Sequence, residues 1–128
     1  MISFEDFVME SGVPIYLQIL RYIKRGVAAG TIHDGDELPS RRVLSALLGV
    51  NPNTVQKAYR VLEEEALIES HTGARSYMVL DARTTRRIRA ELLESDVLAL
   101  IQAMRQMGVE KQDALALVET LWERGGAE

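Results

Sequence analysis

The chain has 128 residues, of which 47% are hydrophobic, and its formal net charge at pH 7 is -4. This size and composition predict one compact domain with a small extension, and they exclude a protein that binds polyanions through a general excess of positive charge. The absence of cysteine excludes disulfides and thiolate chemistry, and no apolar run approaches the ~20 residues that a membrane span needs.

A first amphipathic helix is predicted to begin after Pro14, a residue suited to a helix start. Apolar residues then recur at three- and four-residue spacing up to Gly30, where the pattern ends. This stripe consists of Tyr16, Ile19, Leu20, Ile23 and Val27. The opposite face carries Arg21, Lys24 and Arg25 without an acidic residue, so we expect it to be basic. The following segment, HDGDELP, favours a turn.

Two further helices are predicted on either side of a short segment that contains a glycine. Ser40 is a good N-cap for the first of them, which should end at Gly49. Its apolar residues, which we expect to be buried, are Val43, Leu44, Leu47 and Leu48. Asn51 is suited to cap the next helix and Pro52 to occupy its first position, so this helix should continue to about Glu65. Two helices joined in this way are typical of a helix-turn-helix.

The third predicted helix has two distinct faces. Its apolar residues lie at positions i, i+3, i+4 and i+7 and should face the core; they are Val55, Ala58, Tyr59 and Leu62. The opposite face carries amide and basic side chains, which can bond base edges and phosphates in a DNA groove. These side chains are Asn53, Gln56, Lys57 and Arg60. An ordinary solvated helix face is the alternative interpretation.

Positive charge is concentrated in one segment of this acidic chain. Between Ser40 and Leu62 there are four basic residues and no acidic one, namely Arg41, Arg42, Lys57 and Arg60. A local basic patch of this kind is what a protein with negative net charge needs in order to approach phosphates. We interpret Glu63, Glu64 and Glu65, which follow directly, as a solvated helix end that points away from DNA.

A β-hairpin is predicted after the third helix. Two short segments of β character, ALIES and SYMVL, flank the sequence HTGAR, in which Gly73 can turn the chain. A hairpin directly after a helix-turn-helix makes a winged helix. The wing would place His71, Thr72 and Arg75 beside the third helix, within reach of phosphate or of the minor groove.

Residues 81–128 contain two more helical patterns, at about 84–107 and 110–124, with a break at Gly108. Two helices alone cannot bury so many apolar residues, so we expect a hairpin that packs on a second copy of the chain. The residues assigned to this dimer interface are Leu93, Val97, Leu100, Ile101, Met104, Leu115, Val118, Leu121 and Trp122. The predicted domains are therefore a winged domain, residues 1–80, and a helical dimerisation domain, residues 81–128.

Alternatives for the tail stay open at this point. The two helices could instead fold back on their own winged domain, or Met104 and Trp122 could border a small-molecule pocket between subunits. A second basic cluster lies at the start of the fourth predicted helix and consists of Arg83, Arg86, Arg87 and Arg89. This cluster either touches flanking DNA or pairs with acidic residues of the partner subunit.

From Val13 to Leu80 the order of motifs resembles the GntR family of bacterial transcription regulators. The segments that carry the resemblance are PIYLQI, GTIHDGDELPSRRVLSALLGVNPNTVQKAYRVLEEEALIE and HTGARSYMV. The family motif LPS-x-R-x-L places its arginine, commonly a DNA contact, at Arg42. The N-T-V of the family's recognition helix falls on Asn53, Thr54 and Val55. The resemblance implies a winged-helix protein that binds DNA and regulates transcription.

The version NPNTVQKAYRVLE and the short tail are similar to the YtrA subfamily. That similarity implies a repressor encoded near genes for membrane transporters, often of the ABC type. The chain also departs from the family at four positions. Many members have arginine at the positions of Pro52 and Gln56, so guanine contacts there are not implied. Glycine is common at the positions of Ala66 and Arg75.

Together these features predict a mostly α protein with a small β-hairpin wing: a winged helix-turn-helix followed by a two-helix dimerisation hairpin. The expected function is sequence-specific binding of double-stranded DNA by a dimeric repressor that recognises a palindromic operator. The residues expected to contact DNA are Ser40, Arg41, Arg42, Asn51, Asn53, Thr54, Gln56, Lys57, Arg60, His71, Thr72, Gly73 and Arg75. A winged helix that contacts only proteins is the alternative.

The sequence also gives expectations about catalysis, cofactors and location. No nucleophile, activated base or metal-ligating cluster is assembled in the sequence, so we expect neither catalysis nor a metal or other cofactor. A small-molecule effector is left open. The first residues, MISFEDFVME, lack the basic start of a secretory signal, so we expect a cytoplasmic protein with no membrane partner.

Overall fold

A computed structural model describes residues 1–71 and 75–126. The described chain is mostly helical, with a small antiparallel sheet, which confirms the predicted fold class. The helices are α1 (Ile15–Ala29), α2 (Arg41–Leu48), α3 (Pro52–Glu64), α4 (Ala82–Gln106) and α5 (Lys111–Gly126). The strands are β1 (Glu37–Leu38), β2 (Ile68–His71) and β3 (Arg75–Met78).

Capping residues fix the two helices of the helix-turn-helix. The Ser40 hydroxyl accepts a hydrogen bond from the Val43 amide at 3.2 Å. Asn51 Oδ1 accepts from the Asn53 amide at 2.8 Å, and Pro52 occupies the first position of α3. Between the helices Gly49 has a φ of +67°, a left-handed conformation that glycine adopts without steric cost. The local sequence signals therefore place both helices where they were predicted.

Tyr59 anchors α3 to the segment before α2. Its ring is fully buried, and its hydroxyl donates a hydrogen bond of 2.6 Å to the carbonyl of Pro39. Burial raises the pKa of Tyr59 well above its ordinary value, so the hydroxyl stays protonated and remains a donor. Val55, Ala58 and Leu62 are also fully buried, which confirms the predicted apolar face of α3.

The prediction that α2 buries four apolar residues is partly wrong. Leu44 is fully buried, but Val43 is 52% exposed and Leu47 is 65% exposed. An eight-residue helix makes only about two turns, and α2 packs mainly on α3. Leu44 meets that neighbour, whereas Val43 and Leu47 are turned about 60 to 100° away from it around the helix axis.

The sheet contains a strand, β1, that was not predicted from the sequence. Its order is β1–β3–β2, and β1 pairs antiparallel with β3 through Glu37 opposite Tyr77. Ahead of it the N-terminal segment is also tied in, because the Ile2 amide donates a hydrogen bond of 2.8 Å to the Glu37 carbonyl. Ile2 and Phe4 are buried, and Phe4 stacks on Tyr22 with 4.8 Å between ring centroids. The first residues thus belong to the core of the winged domain.

Ala66, directly after α3, has a φ of +60°, which is unfavourable for any residue with a Cβ atom. We expect Ala66→Gly to raise the free energy of unfolding by about 1 kcal/mol. Urea unfolding at one fixed protein concentration measures this change. Ala90→Gly, at an exposed site inside α4, is the control and should lower stability instead. A loss of stability in Ala66→Gly would contradict the strain at this position.

The chain divides into two compact units, Met1–Ala90 and Glu91–Glu128. The division lies inside α4, ten residues after the domain boundary predicted at residue 80. Ile88, in the first part of α4, is buried in the first unit. Of the described helices, none combines the length and the apolar character that crossing a membrane requires.

Candidate nucleic-acid interface

The exposed face of α3 carries the predicted polar side chains. Asn53, Lys57 and Arg60 are exposed, and Gln56 and Thr54 are half-buried. Because Val55 and Tyr59 are fully buried on the opposite side, the orientation of α3 about its axis is fixed by the core. The amides and cations of this face therefore point outward together. Asn51 differs from them, because its side-chain oxygen is used to cap α3.

A shallow groove runs between the start of α3 and the start of α1. Its lining residues are Pro14, Ile15, Tyr16, Asn51, Asn53, Thr54 and Lys57. Within it the Lys57 ammonium lies 4.0 Å from the centroid of the Tyr16 ring, a cation–π contact. No acidic residue occupies the first turn of α3, so the partial positive charge of the helix start adds to that of Lys57. The groove is suited to an anionic partner.

Tyr16 was not predicted to be a functional residue, because its position fits the apolar stripe of α1. In the structure Tyr16 is only half-buried, and it positions a cation of the candidate interface. The one available signal was chemical: Tyr16 is the only tyrosine in a stripe that otherwise consists of Ile, Leu and Val.

The two adjacent arginines at the start of α2 have different surroundings. Arg42 is exposed, and within residues 1–71 and 75–126 no acidic side chain pairs with it. The Arg41 side chain is only 24% exposed, and its Nη2 donates a hydrogen bond of 2.8 Å to Glu63 Oε1. Arg42 is therefore available to a phosphate or a base, whereas the Arg41 guanidinium already has a carboxylate partner.

The expectation of an acid-free basic surface is partly wrong. Glu63 and Glu65 do not simply extend into solvent at the end of α3, because Glu65 pairs with Lys24 of α1 at 2.9 Å and Glu63 pairs with Arg41. Two of the predicted cations are thereby neutralised by acids from another helix. Arg42, Lys57 and Arg60 have no acidic partner in the described part of the chain.

The base of the wing carries two basic side chains in register. His71 of β2 lies opposite Arg75 of β3. The His71 ring contacts the Tyr77 ring edge-on at 5.1 Å, and its Nε2 lies 3.8 Å from a carboxylate oxygen of Glu69. A hydrogen bond to Tyr77 raises the pKa of the exposed Arg75 guanidinium, which keeps it charged. Thr72 and Gly73 lie outside the described residues.

The second unit exposes the apolar residues that were assigned to a dimer interface. Leu93, Leu100, Leu115 and Leu121 are exposed, as are Val97 at 50%, Val118 at 41% and Trp122 at 80%. Ile101 and Met104 are half-buried. Several of these residues line an apolar groove between α4 and α5 within this unit, with Arg105 and Lys111 at its edge. The surface is large and apolar for a helix pair that faces water.

The described residues include no cluster of three or more His, Asp or Glu side chains that could hold a metal ion. The arrangement of α2, α3 and the hairpin is that of a winged helix-turn-helix. Its outward-facing amides, arginines and lysine can donate hydrogen bonds to phosphates and base edges.

Comparisons with known proteins agree with this geometry. The model for bacterial regulatory proteins of the gntR family matches residues 15–78. The chain is 35% identical over 113 residues to the HTH-type transcriptional repressor YtrA of Bacillus subtilis, and the match covers 88% of this chain and 82% of that protein.

Two solved structures give the same result. A GntR family transcriptional regulator from Listeria monocytogenes has a TM-score of 0.78 at 33% identity, covering 88% of this chain and 98% of that one. YtrA from Sulfolobus acidocaldarius, a GntR-family transcription factor, has a TM-score of 0.55 at 35% identity, covering 76% of this chain and 99% of that one. These relatives are regulators of transcription, which confirms the prediction that the chain is not an enzyme.

Proposed function

We propose that this chain, which belongs to the GntR family of bacterial regulatory proteins, is a dimeric repressor that binds a palindromic operator. Its first unit is a winged-helix DNA-binding domain of a transcriptional regulator. The observation that carries the proposal is the division of α3 into a fully buried apolar face and an outward face of amides and cations. A helix of this kind fits the major groove, where amides and cations can distinguish base pairs.

The proposed DNA contacts have different roles. Arg42, Lys57 and Arg60 would contact phosphates, together with His71 and Arg75 of the wing. On α3 the side chains that would meet base edges are Asn53, Thr54 and Gln56. The caps Ser40 and Asn51 would contribute indirectly, because they fix the starts of α2 and α3, where the amides that no cap occupies could bind phosphates. The wing-tip residues Thr72 and Gly73 stay a prediction from the sequence.

The proposed dimer is supported by the exposed apolar surface of the second unit. A helix pair that leaves Val97, Leu100, Leu115 and Trp122 in water gains stability when a second copy covers these side chains. A two-fold dimer would place its two α3 helices about one turn of DNA apart, or a multiple of it, and would match a palindrome. The interface would consist of the nine residues named above for the tail.

The repressor role is supported by 35% identity to a protein named as a repressor. A site of action in the cytoplasm follows from the proposed partner, since the bacterial chromosome lies there. The proposal that the operator lies near transporter genes rests on the similarity of NPNTVQKAYRVLE to the YtrA subfamily. A small-molecule effector is not assigned.

Gln56→Ala tests base recognition. We expect this variant to lose about 1 to 3 kcal/mol of preference at one base pair of the operator, because its amide can make paired hydrogen bonds to a base edge. The measurement is competition binding with duplexes that carry single base changes. Affinity that falls equally for every duplex would instead show a phosphate or structural role.

The proposed function as a whole is tested by fluorescence anisotropy with the duplex just upstream of the protein's own gene and with a scrambled duplex. We expect tighter binding to the natural duplex and an affinity that falls steeply as the salt concentration rises. Absence of binding even at low salt would contradict the proposal and would favour a winged helix that contacts only proteins.

A further inference from the structure

The position of Arg41 and the direction of its side chain do not favour a contact with phosphate. It is the first residue of α2, where a cation is mildly unfavourable because the helix start carries partial positive charge. Its guanidinium carbon lies 5.0 Å from the centroid of the Tyr59 ring, in the core of the domain. Its Nε is buried and, among the described residues, has no hydrogen-bond acceptor. The side chain is therefore turned inward along α3.

The Glu63 carboxylate balances the charge of the Arg41 guanidinium, and it also accepts a hydrogen bond from the wing. Glu63 Oε1 accepts one hydrogen bond from Arg41 Nη2 and another from the Ser70 hydroxyl, each at 2.8 Å. The Ser70 hydroxyl in turn lies 3.3 Å from the hydroxyl of Ser76, which is buried in β3. One carboxylate oxygen of α3 thus connects α2 with both strands of the hairpin.

We propose that Arg41 and Glu63 form a clamp that sets the position of α2 and the wing relative to α3. Arg41 is a positioning residue in this proposal and makes no DNA contact. The clamp would hold Arg42, the next residue of α2, and Arg75, on the strand that pairs with β2, at fixed distances from the outward face of α3. This inference rests on the proposed DNA-binding function and replaces a direct role for Arg41 in it.

The two possible roles of Arg41, a phosphate contact or a clamp with Glu63, predict different effects of removing the Glu63 carboxylate on DNA affinity. If Arg41 bound a phosphate, Glu63→Gln would remove a negative charge near DNA and would leave binding unchanged or tighten it. If the pair is a clamp, Glu63→Gln loosens the wing and weakens binding despite the more favourable charge. Glu64→Gln is the matched control, because Glu64 is exposed, directly adjacent and loses the same charge.

Operator affinity across a salt series is measured for Arg41→Gln, Glu63→Gln, the double variant and Glu64→Gln. We expect each single clamp variant to weaken binding by about 3- to 10-fold, and the double variant to be no weaker than either single one, because both changes break one interaction. The slope of log affinity against log salt should stay unchanged. Unchanged or tighter binding by Glu63→Gln would overturn the clamp, as would a slope lowered by about 0.9 in Arg41→Gln, the signature of a lost phosphate contact.

A second measurement does not depend on DNA. Amide hydrogen exchange in β2 and β3 should become faster in Arg41→Gln and Glu63→Gln, with the wild-type rates retained in Glu64→Gln. Equal exchange in all variants would overturn the clamp. If the wild-type protein showed no preference for its operator, the proposed function would fail, and the exchange rates would still decide whether the pair orders the wing.

Discussion

Replacing Val97 and Val118 together by glutamate is expected to convert the protein from dimer to monomer and to lower operator affinity by about 100-fold or more. The two side chains are about half-exposed in the single chain and line the same apolar groove of the tail. In the proposed dimer both would be covered, and a buried carboxylate without a partner is strongly unfavourable. A monomer binds one half-site alone and loses the gain that comes from linking two modules.

Sedimentation velocity gives the mass, and anisotropy with the full operator gives the affinity. Gln102→Glu with Gln106→Glu is the control, because it adds the same two charges at exposed positions of α4 and should leave the dimer intact. A Val97→Glu, Val118→Glu protein that stays dimeric would refute the assigned interface. A monomer that binds the full operator as tightly as the wild-type protein would refute the need for a dimer.

Arg42→Ala is expected to lower operator affinity by about 10-fold or more and to reduce the salt dependence by about one released counterion. Arg42 is exposed at the start of α2, with no acidic partner in the described part of the chain. Its removal should therefore affect DNA binding without loss of an internal ion pair. Affinity is measured with the operator and with the scrambled duplex at several salt concentrations.

Arg124→Ala is the matched control for Arg42→Ala, because it removes the same charge from the last turn of α5. It should bind DNA like the wild-type protein. Equal affinity of Arg42→Ala and the wild-type protein would contradict the assignment of Arg42 as a DNA contact. Circular dichroism should show the same helical content in all three proteins, since Arg42 is exposed.

The sequence was sufficient to predict features that depend on near neighbours. Each of these features acts within a few residues of the chain. They are the caps Ser40 and Asn51, the proline at the first position of α3, and the three- and four-residue spacing of the apolar residues in that helix. The Ala66 backbone could also be anticipated, because glycine is common at this position in the family that the chain resembles. Local patterns therefore predicted the helix-turn-helix, the hairpin and the outward face of α3.

Interactions between distant segments could not be predicted in this way. The pairs Arg41–Glu63 and Lys24–Glu65 join residues 22 and 41 positions apart, so their charges appear independent in the sequence. Val43 and Leu47 have the spacing of core residues, but their exposure depends on how α2 packs against distant segments, which the local spacing does not show. β1 has only two residues, which is too short for an alternating pattern. Ile2 and Phe4 alternate with polar residues, and this pattern is a sequence signal for their burial.

The contact between Lys57 and Tyr16 has a thermodynamic consequence. A lysine side chain that moves freely in the unbound protein loses up to about 2 kcal/mol of rotamer entropy when a partner immobilises it. The Lys57 ammonium already lies over the Tyr16 ring in the protein alone. Much of that entropy is therefore lost during folding rather than during association, and this cation would meet an anionic partner with little further ordering.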